Sequence, residues 1–149
     1  MDDLQTLYQA IIRQHQKEVR WRGCLLTANA SAEGENPKCG DQIEVHAQIA
    51  EGTFIALRFE AAGCALLNAS ASIMCARMEG QTLKSLTQQI TVIQNLLNHE
   101  TTPDLSELGE LSALAGAAPY PSRHRCVLLP WETLAKVRNS TSEINKQTG

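Results

Sequence analysis

Gln42-Ile43-Glu44-Val45-His46-Ala47-Gln48-Ile49, followed after Ala50-Glu51-Gly52 by Thr53-Phe54-Ile55-Ala56-Leu57-Arg58-Phe59-Glu60, is the stretch that decides the fold. Ile43, Val45, Ala47 and Ile49 alternate with Gln42, Glu44, His46 and Gln48, the two-residue period of a strand with one buried face. In the second run Thr53, Ile55, Leu57 and Phe59 alternate with Phe54, Ala56, Arg58 and Glu60. Joined by a glycine-containing turn, the two runs predict an antiparallel hairpin.

Beyond Gly63 the period lengthens. Cys64 to Met78 is rich in Ala, Leu, Ile and Met and lacks internal Gly and Pro, which predicts a buried helix ended by Gly80. Thr82 to Asn98 reads as a second helix with Leu83, Leu86, Ile90, Ile93 and Leu97 inward. Leu105, Leu108 and Leu111 predict a short helix ending near Gly116. Pro119 and Pro121 interrupt the chain before a last helix from about Cys126 to Arg138 and a polar, frayed tail over 139–149.

On the other side of the hairpin, Asn29 to Gly40 is built of small and turn-forming residues and reads as a loop. Residues 24–27 read as a short strand. Residues 4–15 read as a helix with Leu4, Leu7, Ile11 and Ile12 on its inner face. The order predicts an α+β domain: a small antiparallel sheet with helices packed on one face, residues 1–149 forming one unit.

Composition narrows the function. Hydrophobic residues make up 43% and charged ones 19%, an ordinary globular balance, and no apolar run is long enough to span a bilayer. The formal net charge of −3 argues against a nucleic-acid partner, which needs a concentrated basic surface. The basic clusters Arg20-Trp21-Arg22 and Arg123-His124-Arg125 read as solvated turns. Met1-Asp2-Asp3 lacks the basic-then-apolar order of a secretory leader, so a cytoplasmic location is expected.

Five cysteines, Cys24, Cys39, Cys64, Cys75 and Cys126, are an odd number for a disulfide framework. Their positions separate them. Carrying the strand alternation back from Ile43 puts Cys39 and Asp41 on the buried side, where a carboxylate must be paired or metal-bound; a turn-capping aspartate is the alternative. Cys64 opens a helix, where amide groups and the helix dipole favour a thiolate, or else it is a small first-turn residue. Pro130 belongs in the first turn of its helix, which sets Cys126 at that helix's start; a start at Ser122 instead makes Pro130 a kink. Cys75 lies eleven residues after Cys64, a rise of about 16 Å that separates it from any shared ion, and reads as core. Cys24 has no evident partner. His15, His46 and His99 fall on polar faces or at a helix end, and His124, two residues before Cys126, reads as a surface residue near the site, with a fourth ligand as the alternative. Cys39, Asp41, Cys64 and Cys126 are therefore the candidate site: three thiols and one carboxylate.

Three motifs in order resemble the IscU/NifU-like family of iron–sulfur cluster assembly, and within it the SufU branch. They are Asn36-Pro37-Lys38-Cys39-Gly40-Asp41; Gly63-Cys64-Ala65 with Ala69-Ser70-Ala71-Ser72; and Pro121-Ser122-Arg123-His124-Arg125-Cys126 followed by Leu129-Pro130-Trp131. Leu7-Tyr8 through His15 resembles the family's opening helix. The scaffold branch has His directly before its third cysteine, where this chain has Arg125. It also has a Leu-Pro-Pro-Val-Lys segment, and Ala117-Ala118-Pro119-Tyr120-Pro121 stands in that region here.

The resemblance implies a SufE/NifU-like fold and a tetrahedral zinc on Cys39, Asp41, Cys64 and Cys126. It also implies a SufS-like cysteine desulfurase as partner and delivery of sulfur to downstream iron–sulfur assembly machinery. Cys39, on its glycine-flanked loop, is the expected acceptor of persulfide sulfur, and Arg125 an expected accessory residue. The competing expectation is an IscU-type scaffold on which an iron–sulfur cluster is built.

Overall fold

The computed structural model describes residues 3–98 and 105–141, so the expectations for His99 and for most of the tail lie outside it. The hairpin forms as its alternation dictates, and it is extended by one strand. Strands β1 (Ala30–Asn36), β2 (Asp41–Ala50) and β3 (Thr53–Ala62) make an antiparallel sheet in the order β1-β2-β3. The strand expected at 24–27 is absent. The chain instead meets β3 slightly earlier, where Phe59 N–H donates to the Trp21 carbonyl and Gly23 N–H to the Phe59 carbonyl. Trp21 is consequently buried, with the Arg20 and Arg58 guanidinium groups stacked on its ring.

Strand β1 lies in the segment read as a loop. Its inward positions are very small, and at Gly34 the reason is visible. A Cβ there would collide with Thr133 Oγ1 and press on Leu129, so the strand is a closely approached floor for the last helix. The register of β2 on β3 shifts between Gln48 and Ile49, which pair with Ala56 and Phe54. That bulge turns Phe54 inward and Ile55 outward, reversing the simple alternation at the start of β3, while Leu57 and Phe59 stay buried.

Among the described residues five helices pack with the sheet: α1 (Asp3–Lys17), α2 (Ala65–Met78), α3 (Ser85–Leu97), α4 (Leu105–Leu108) and α5 (His124–Ser140). Tight 3₁₀ turns cover Gly109–Ala117 and Pro121–Arg123. Helix α5 packs on β1 and β2, α2 packs on β3, and α1 packs on α2. The sheet thus buries Ile43, Val45, Ala47 and Ile49, whereas Glu44, His46 and Gln48 face the other way and are half-buried.

Among the described side chains of α1, which do not include Leu4, Tyr8 and His15 are buried, Ile11 and Ile12 half-buried and Leu7 exposed. The inner face is therefore rotated one residue from the expected one, and His15 is not a surface residue. Its Nδ1 lies 2.7 Å from Ser72 Oγ on α2, and its Nε2 lies 3.1 Å from Glu110 Oε1 without the alignment of a hydrogen bond. Helix α5 begins two residues before Cys126 and runs through Pro130, which is not in the first turn. Proline has no N–H, so the carbonyl of Cys126, four residues back, loses its helical donor.

Candidate metal centre

Four elements bring the chemistry to one end of the sheet. Asn36 and Asp41 are paired across β1 and β2, and Pro37–Gly40 form the loop between them. Within it Cys39 N–H donates to the Asn36 carbonyl at 3.1 Å, and Lys38 N–H to Asn36 Oδ1 at 3.3 Å. Gly40 has φ +71°, a left-handed turn open to glycine, and it leaves Cys39 exposed while Asp41 enters the strand.

Asp41 is 1% exposed. Its carboxylate reaches the start of α2, where Cys64 N–H donates to Oδ1 at 3.0 Å and Cys64 Sγ lies 3.8 Å from Oδ2. Gly63 lets the carboxylate in: a Cβ at that position would collide with Asp41 Oδ1. Cys64 is the N-cap of α2, its sulfur accepting the Leu67 N–H at 3.4 Å. Cys126, buried in the first turn of α5, completes the cluster. Single donor atoms of Cys39, Asp41 and Cys126 all lie within 4.8 Å of one another. Burial above all, and then hydrogen bonding to Asp41 and Cys64, pushes the Cys126 thiol well above its ordinary range.

The structure thus brings together Cys39, Asp41 and Cys126, with Cys64 beside Asp41. Arg125 stays apart: it is exposed, and its Nη1 lies 3.3 Å from Glu132 Oε1. His124 is turned to the Ala118 carbonyl, 3.1 Å from Nε2. Cys75 is fully buried, and desolvation raises its thiol too. Among the described residues Asp41 has no ion pair with Lys, Arg or His. A buried carboxylate with no cation, beside three thiols, fits a thiophilic four-coordinate ion such as zinc.

Two positioning groups escaped the sequence reading. One is Gly63, whose signal was only its place beside Cys64. The other is Ser70 on α2, whose hydroxyl donates to the Val127 carbonyl at 2.7 Å and accepts from Trp131 Nε1 at 3.1 Å. It pins the first turns of α5, and with them Cys126, against the helix that Cys64 caps. Its signal was a pair of serines, Ser70 and Ser72, among the small and apolar residues of the helix.

Fold and cluster define a small α+β protein with three thiols and a carboxylate gathered at one end of a three-stranded sheet. The chain belongs to the family described as NifU-like N terminal domain, which it matches over residues 7–127. It is 29% identical over 134 residues to the zinc-dependent sulfurtransferase SufU of Bacillus subtilis strain 168, covering 90% of each chain. It is 28% identical over 136 residues to the iron–sulfur cluster assembly scaffold protein IscU of Thermotoga maritima, covering 91% of this chain and 95% of that one. A solved structure, a putative iron–sulfur cluster assembly scaffold protein for the SUF system from Fervidobacterium islandicum AW-1, superposes with a TM-score of 0.80 at 26% identity, covering 89% of this chain and 97% of that one. Among the described residues no helix is long and apolar enough to cross a membrane.

Proposed function

We propose that this protein is a zinc-dependent sulfur carrier that takes persulfide sulfur from a cysteine desulfurase for iron–sulfur cluster assembly. The observation that carries the reading is the arrangement of the cluster: one exposed thiol, Cys39, on a loop with a glycine hinge, beside a buried carboxylate and a buried thiol. Cys39, Asp41, Cys64 and Cys126 are the proposed ligands. Bound zinc supplies positive charge that keeps the thiols ionised at neutral pH.

The chain's own residues do the rest. Asp41, Cys64 and Cys126 are anchored on β2, α2 and α5, while the loop carrying Cys39 can swing outward. The Cys39 thiolate attacks the outer sulfur of the desulfurase persulfide. A new S–S bond forms on Cys39, the old S–S bond breaks, and the desulfurase cysteine leaves as a thiolate, with no net oxidation or reduction. Arg125, on the exposed surface next to Cys126, is proposed to contact the partner rather than the ion.

Desulfurase turnover with cysteine, in the presence of wild-type protein or Cys39→Ala, tests the acceptor. Stimulation is expected to be lost in the variant, and persulfide to appear on wild-type Cys39 by mass spectrometry. Undiminished stimulation by Cys39→Ala would refute the assignment. The IscU relative supports the other reading, in which a cluster is assembled on the same residues. Visible absorption after anaerobic reconstitution with iron and sulfide, displacing zinc, would favour that scaffold.

A further inference from the structure

The sheet's open face carries a second group of metal-ligating side chains, separate from the cluster of Asp41 and the three thiols. Alternation along β2 sends Asp41 to the helical side and Glu44 and His46 to the opposite side. Register across the sheet sets Glu33 opposite Glu44, and Glu44 opposite Glu60. Three carboxylates in direct cross-strand succession repel one another, a poor arrangement for a sheet unless a cation sits among them. Among the described residues no Lys or Arg pairs with Glu33, Glu44 or Glu60, although Lys136 lines the same groove. Arg58 pairs with Glu79 at 3.3 Å and stacks on Trp21, and the Lys136 ammonium donates to the Glu33 carbonyl. The Glu33, Glu44 and Glu60 side of the sheet borders an open groove of about 660 Å³, wide enough for a hydrated ion to enter.

The donor set is mixed rather than merely acidic. His46 Nε2 lies 2.9 Å from Glu60 Oε1 and 3.4 Å from Glu44 Oε1, and donor atoms of the three residues lie within 4.8 Å of one another. The exposed Cys24 thiol points at the same carboxylate, its Sγ 3.5 Å from Glu60 Oε1. Bonds of about 2.0–2.3 Å to a tetrahedral ion put neighbouring ligand atoms roughly 3.3–3.7 Å apart; the 3.4 and 3.5 Å separations match, and the 2.9 Å hydrogen bond between His46 and Glu60 opens by a few tenths of an ångström when an ion replaces its proton. Imidazole, thiolate and carboxylate together select a borderline divalent transition metal over calcium or magnesium, which take oxygen alone.

We propose that Glu44, His46, Glu60 and Cys24 form a second site for a zinc-class divalent ion on the open face of the sheet. His46 is its centre: the side chain is only 14% exposed, and its Nε2 lies within 3.4 Å of both glutamates. The site stands independently of the function proposed for the first cluster.

The test is zinc stoichiometry of the full chain. Reduced protein is stripped with a chelator, dialysed to equilibrium against zinc chloride, and measured by elemental analysis. Wild type is expected to hold one equivalent more than His46→Ala. Glu60→Gln, which keeps the side-chain shape, and Cys24→Ser are expected to lose that same equivalent, with unchanged circular dichroism. Because the readout is a difference, it stays distinct from the first cluster: should that cluster bind nothing, wild type falls to one equivalent and His46→Ala to none. Equal zinc in wild type and His46→Ala overturns the site, leaving His46 as a simple bridge between two glutamates. Equal zinc in wild type and Cys24→Ser overturns the sulfur-containing donor set.

Discussion

Gly63 has room for a hydrogen and nothing more, because the Asp41 carboxylate fills the space a side chain would take. The expected effect of Gly63→Ala is a loss of zinc affinity of about 10–100-fold, the range for groups that orient a ligand without touching the ion. Competition against a coloured chelator measures it; unchanged affinity would show that Asp41 takes no part. Cys126 gives a pH prediction. Its thiol is raised by burial and by its neighbours, so without metal it is protonated at neutral pH. Zinc uptake must expel that proton. Binding is therefore expected to release protons and to weaken as pH falls, which calorimetry in two buffers of different ionisation enthalpy will show.

At the scale of elements, the site depends on how α5 sits against α2. Pro130 removes the helical amide that would meet the Cys126 carbonyl, and Ser70 holds the same turn from outside through the next carbonyl, that of Val127. Ser70→Ala leaves the buried Trp131 N–H without its acceptor. It is expected to lower stability by about 1–3 kcal/mol in urea unfolding, with zinc affinity reduced alongside. The β2–β3 hairpin and α3 were legible because their apolar residues repeat at clear periods, and α2 because Ala, Leu, Ile and Met run from Cys64 to Met78 without an internal Gly or Pro. Strand β1 was not legible. Ala30-Ser31-Ala32-Glu33-Gly34-Glu35-Asn36 has little β-propensity, and it is a strand because it pairs along its length with β2 while α5 closes over Gly34, tertiary contacts with no local signal. The bulge at Gln48 and Ile49 was equally invisible, since Phe54 and Ile55 are both apolar and either one suits an inward position.

For the whole molecule, an ion held by β2, α2, α5 and the β1–β2 loop would tie together elements distant in sequence. Chelation of zinc is expected to lower the thermal midpoint. The stabilisation is about 2.7 kcal/mol when free zinc stands at a hundred times the dissociation constant. A scan with and without chelator checks this, and an unchanged midpoint would separate the ion from the fold. The candidate site was readable from the chain in its residue types, because Cys39, Asp41, Cys64 and Cys126 each sit at an element boundary. Its construction was not, because the contacts of Gly63 and Ser70 exist only once helices and sheet have met.

The order of these residues along the polymer carries a consequence for biosynthesis. The buried thiol of the cluster, Cys126, is the last of the four to leave the ribosome, long after Cys39 and Asp41. A growing chain therefore presents an incomplete cage throughout most of its translation, and tight capture of an ion must wait until α5 has docked. With zinc bound as proposed, metal content would double as a gauge of maturation: in a pulse-labelled cell, newly made but unfinished copies should be recovered empty, and only those with the final helix seated should be recovered loaded.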